Sequence, residues 1–158
     1  MFCGYGLREG LVHGHLPDAE QQRDPFIAFC EDEAALSSRF ALHVEEVLDW
    51  LEPVLGKADP NAERLRRGAI LLSEVAWRGH SDYRAEQALV RILHGPFVGI
   101  GHRGRALVAI AVYERYRGDP NFVMAEEARK LLDQSETERA LALGKMLDLA
   151  QTLSGGAP

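Results

Sequence analysis

From Pro25 to Leu153 the apolar residues of this chain recur at intervals of three and four, and Asp-Pro pairs and glycines interrupt the pattern. That interval is the period of an α-helix, so the chain is committed to helices packed face to face. Asp24-Pro25 and Asp59-Pro60 read as helix starts, with Asp as the cap and Pro at the first helical position. Ala41, Val44, Val47, Leu48, Leu51 and Leu55 form one stripe, closed by Gly56. Leu65, Ala69, Leu72 and Val75-Ala76 form the next, ending near Gly79. Further helices are predicted from about Asp82 to Gly95-Pro96, after Gly104 through Val112, from Met124 to Leu132, and over Leu143 to Leu153. The predicted fold class is all-α, a helical bundle of about six to seven helices spanning 17–158.

Residues 1–16 have a different character. The glycine-rich, apolar start from Met1 to Leu11 reads as a strand and turn, and Leu153 to Pro158 as a linker-like tail. Both ends suit a piece of a longer chain. Neither a membrane-spanning run nor a secretory leader is legible, and Cys3 and Cys30 lack metal-ligand spacing. These features predict a cytoplasmic protein with reduced thiols.

Charge is distributed unevenly. The chain carries −6 overall, yet Arg64 to Arg117 holds ten cations against four anions. The remainder holds eight cations against twenty anions. A clustered positive field survives a negative total and points to an anionic partner. Within the window, Arg78, His80 and Arg84 fall at one helix junction, and His102, Arg103 and Arg105 at the next. Arginine forks and helix N-termini both suit phosphate oxygens. Solvated helix faces, with Glu86 and Glu114 as partners for some arginines, explain the same charges without a ligand.

Motifs for metal hydrolysis and nucleotide binding are missing: there is no Cys-x-x-Cys, His-Glu-x-x-His or Gly-x-x-x-x-Gly-Lys-Ser/Thr. Gly99-Ile100-Gly101-His102-Arg103-Gly104 has dinucleotide spacing but no strand before it, so a turn into the following helix is predicted. His43, placed mid-helix, and the later Ser73-Glu74 are similar in order to the ligand positions of HD metal-dependent phosphohydrolases. Serine replaces the imidazole such a metal requires, so these positions are degenerate and no metal is predicted.

Leu71 to Gln87, with Trp77-Arg78-Gly79-His80-Ser81-Asp82-Tyr83-Arg84 at its centre, resembles the Ppx/GppA phosphatases, as does Phe97 to Leu107. Gly6-Leu7-Arg8-Glu9-Gly10 resembles the motif closing that family's second domain. The resemblance implies that 1–16 is the end of an actin-like domain and 17–158 an HD-like helical domain. It implies a parent that releases the terminal phosphate of inorganic polyphosphate or guanosine pentaphosphate. That parent's catalytic residues and Mg would lie in actin-like domains outside this chain, so no catalytic residue is placed here. The helical domain would support a homodimer and a basic path for the anion, formed by Arg78, His80, Arg84, His102, Arg103 and Arg105, with Arg8 toward the second-domain cleft. No membrane or specific nucleic-acid partner is implied. A self-standing HD-type phosphohydrolase and a purely structural dimerisation bundle are the alternatives.

Overall fold

A computed structural model describes residues 14, 15, 17–37 and 43–154. After a single helical turn at Asp18–Gln21, the helices are α1 Pro25–Ser37, α2 Val44–Leu55, α3 Pro60–Leu71, α4 Arg84–His94, α5 His102–Arg115, α6 Val123–Arg129 and α7 Gln134–Ser154. Two 3₁₀ turns, Leu72–Glu74 and Ser81–Tyr83, lie between α3 and α4. No strand occurs among the described residues, as the helical period predicts. The strand-like segment expected over the first dozen residues, including Arg8 and its glycine motif, lies outside them.

Helix ends follow the punctuation. Asp24 Oδ1 accepts from the backbone N–H groups of Phe26 (2.9 Å) and Ile27 (3.3 Å) at the start of α1. Asp59 repeats the arrangement on Asn61 and Ala62, both at 2.9 Å. Each cap satisfies donors that the helix cannot bond internally. Gly56 closes α2 at φ 70°, a conformation that favours glycine. At α7, Glu136 N–H donates to Asp133 Oδ1 while Asp133 N–H donates to Glu136 Oε2, both at 2.9 Å. This reciprocal capping box starts the helix nine residues before Leu143, where the predicted apolar stripe begins.

The core is centred on α5. Ala106 and every residue from Val108 to Tyr113 are fully buried, and the helix packs on α3, α4, α6 and α7. A helix apolar on all sides belongs in the middle of a bundle. Cys30 lies in the same core, where burial pushes its thiol up to about 12. Among the described residues no helix is long and apolar enough to cross a membrane.

Two local expectations are corrected. His43 is not mid-helix: it stands at the N-cap position of α2, exposed, with Nδ1 3.4 Å from Glu46 Oε1. Ser73 and Glu74 are not in a continuing α-helix, because the backbone tightens into a 3₁₀ turn after Leu71. Such tightening is common where an α-helix ends.

Candidate anion-binding site

The turn from Val75 to Tyr83 starts from the short 3₁₀ segment after α3. Its backbone closes on itself through Val75 N to Leu72 O (3.0 Å), Trp77 N to Glu74 O (3.1 Å) and Gly79 N to Ala76 O (2.9 Å). Side chains from other elements hold it in place. Trp77 Nε1 donates to the carbonyl of Ser37 at the end of α1, and Tyr116 Oη lies 3.3 Å from Ala76 N just past α5. From α4, Arg84 Nε donates to Gly79 O (2.9 Å) and Arg91 to Val75 O (3.1 Å). Arg91 also reaches Glu33 Oε2 at 2.7 Å. At Gly79 a Cβ would stand 2.1 Å from Gln87 Oε1, so the backbone lies close against α4.

Arg78 emerges from this braced turn. It is exposed, its guanidinium lies 5.6 Å from the Trp77 ring, and it has no hydrogen bond or ion pair among the described residues. A cleft of about 440 Å³ beside it is lined by Leu36, Ser37, Arg78, Gly79, Gln87 and Arg91, among others. His80 and Arg84 belong to the same turn, His80 as the cap of its 3₁₀ segment and Arg84 through the Gly79 carbonyl, but neither lines the cleft. Sequence reasoning missed Arg91 and Gln87. Their signal was their spacing from Arg84, seven residues on for Arg91 and three for Gln87, which puts all three on one helical face.

The second junction is committed elsewhere. Arg105 donates to the carbonyls of Leu93 (3.0 Å), Gly95 (2.8 Å) and Phe97 (2.9 Å), with its guanidinium 5.5 Å from the Phe97 ring. It therefore terminates α4 and fixes the loop into α5. Arg103 pairs with Asp133 (3.0 Å) and with Glu136, whose hydrogen bond raises the guanidinium pKa. His102, the first residue of α5, is exposed. Gly101, in the Gly-x-Gly-x-x-Gly stretch, is the cap of that helix, as the turn reading predicts. Because Tyr116 holds the Trp77 turn at one end of α5 and His102 opens the other, about 21 Å of helix separates the two junctions. They do not form one compact cluster.

Four further arginines of the window are also engaged, by carboxylates, by carbonyls or by both, while Arg115 lies over the Tyr116 ring. Arg64 binds Asp24 and the Gly99 carbonyl, Arg66 the carbonyls of Leu55 and Gly56, Arg67 Glu45, and Arg117 Asp148. The pairing carboxylates come from outside the window: Asp24, Glu33, Glu45, Asp133, Glu136 and Asp148. Glu86 differs from the sequence expectation, since its Oε2 is buried with no hydrogen-bond partner among the described residues. A carbonyl satisfies a guanidinium's hydrogen bonds but not its charge. Arg66, Arg84 and Arg105 are therefore held in place with their charge still uncompensated by these contacts.

Ser73 and Glu74 are buried at 2% and 1% exposure beneath the turn. Burial is the largest influence raising the Tyr116 hydroxyl pKa. Arg115 lowers it, and Glu74 and Arg84 act on it in opposite senses, so these groups share one neighbourhood. Among the described residues no group of three His, Cys, Asp or Glu side chains is placed to hold a metal. Exposed His43 with Glu46, and buried Ser73-Glu74, do not fit the donor set of an HD centre.

No curated protein matches the chain. A family model described as exopolyphosphatase, C-terminal, matches residues 26–158 and so takes in every helix from the first turn of α1 onward. This match agrees with the resemblance carried by the Trp77–Arg84 run, and the chain belongs to the exopolyphosphatase C-terminal domain family.

Proposed function

We propose that this domain is a non-catalytic anion-binding and self-associating part of an exopolyphosphatase-like enzyme, with inorganic polyphosphate as its ligand. Arg78 carries the reading: it is exposed, free of ion pairs among the described residues, and mounted on a turn braced from α1, α4 and α5. Arg84 and His80 stand beside it, and Arg84 bonds a carbonyl there rather than a carboxylate. Arg103 and Arg105 support this role less, because carboxylates and carbonyls occupy their donors. The spacing between Arg78 and His102 favours an extended polyanion over a compact nucleotide such as guanosine pentaphosphate.

Titration with polyphosphate of one defined length at 50 and 200 mM salt tests the proposal. Binding is expected to weaken as salt rises, because neutralised phosphates release counterions. Arg78→Ala is expected to weaken binding about fivefold at low salt, the size of one exposed ion pair. Absence of binding at low salt would leave the scaffold reading alone. Self-association is supported by the exposed apolar side chains of Trp50 and Val54 on α2 and of Leu149 and Leu153 on α7, each pair one helical turn apart. A monomer at all concentrations in sedimentation would remove that part.

A further inference from the structure

The 3₁₀ turn that leads into α4 is capped by an imidazole. His80 is extended at φ −60° and ψ 139°, and its Nδ1 accepts the Asp82 backbone N–H at 3.3 Å. Acceptance at Nδ1 requires that nitrogen to be bare, so the neutral ring carries its proton on Nε2. The same Nδ1 lies 3.7 Å from Asp82 Oδ2, while Ser81 Oγ holds Oδ1 of that carboxylate at 3.1 Å. The ring centroid is 5.8 Å from that of Tyr83, and the side chain is 68% exposed. From the elements around it, Arg84 of α4 grips the Gly79 carbonyl just before His80, and Arg78 precedes it on the turn. Among the described residues, Asp82 and Tyr83 are the groups in direct contact with the ring.

We propose that His80 is a proton-operated cap that regulates the anion site. An imidazolium has N–H on both nitrogens and accepts nothing. Uptake of one proton from solvent at Nδ1 therefore breaks the bond to Asp82 N–H. In its place it puts an N–H donor within reach of the Asp82 carboxylate. The turn loses a backbone tether and gains a cation between Arg78 and Arg84. Acidification thus loosens the entrance to α4 and raises the local positive charge together. The regulatory half of this inference rests on the polyphosphate-binding reading; the cap does not.

The test uses the whole chain, isotope-labelled, and follows the Asp82 amide by NMR from pH 8 to pH 5.5, where imidazoles change charge. Wild type is compared with His80→Asn, which keeps an oxygen acceptor at the cap but has no titrating ring. The wild-type amide is expected to shift across this interval and the His80→Asn amide to stay in place. Equal movement in both proteins, or none in wild type, overturns the cap. In a second arm, polyphosphate of fixed length is titrated at both pH values. Wild-type affinity is expected to rise about threefold more on acidification than that of His80→Asn, the scale of one exposed charge pair. An equal rise in both overturns the regulatory step. No binding by wild type at either pH overturns the polyphosphate reading and the regulation with it, while the amide titration still decides the cap.

Discussion

Arg105 donates to three carbonyls drawn from the last turn of α4 and the loop behind it, and it covers the Phe97 ring. Removing it leaves those partly buried oxygens without their donor. Arg105→Ala is expected to destabilise the fold by about 2 kcal/mol in chemical denaturation. Arg105→Lys should recover only part of that, because an ammonium cannot present the same fork. Asp24 offers a test with a defined sign. The Arg64 hydrogen bond holds its carboxyl below the ordinary aspartate range, against the opposing effect of burial. A depressed carboxylate contributes stability above the unfolded value of about 3.9, and that stability is lost as pH falls through the folded pKa. Thermal melts should show wild type losing stability more steeply below about pH 4 than Asp24→Asn. The asparagine keeps the helix cap, so the comparison isolates the ion pair.

Between elements, α7 comes close to α5 at Gly144. A Cβ there would stand 2.4 Å from the Ala111 carbonyl oxygen and 2.5 Å from Glu114 Cβ. Neither neighbour is a flexible tip, so Gly144→Ala must push the helices apart, at an expected cost of about 1–3 kcal/mol. Gly101 is the converse case. It caps α5 at φ −82° with no side-chain bond, and a Cβ there meets nothing within 4 Å. Gly101→Asp should stabilise by about 0.5–1 kcal/mol by supplying the missing cap and a charge suited to the helix dipole. Matched denaturation curves check both signs. The elements themselves were legible because their signals are local: Asp-Pro starts, Gly56, and apolar stripes that each fit one face. Where the signal weakened, the reading slipped. The Asp133–Glu136 box opens α7 ahead of its apolar stripe, and His43 sits at an N-cap rather than inside a helix.

For the molecule as a whole, the positive middle of the sequence is not one surface. Its arginines are distributed around the bundle, and several meet partners 22 to 58 residues away, such as Arg67 with Glu45 and Arg91 with Glu33. No local pattern encodes such pairings, so the sequence could mark Arg78 and Arg105 as equals although, among the described residues, one has no hydrogen bond or ion pair and the other is spent. What remained readable was the Trp77 junction, where Arg78, His80 and Arg84 are close enough in sequence to stay neighbours. This division of labour also ranks the arginines by chemical reactivity. A dicarbonyl reagent needs an accessible guanidinium whose donors are not engaged. Among the described arginines, Arg78 should therefore be labelled first and Arg105 and Arg64 last, an order that peptide mass mapping over time would show. The same order would reverse if Arg105 were the open ligand and Arg78 the structural brace. In an intact bundle, then, guanidinium chemistry becomes a map of which charges the architecture has already consumed.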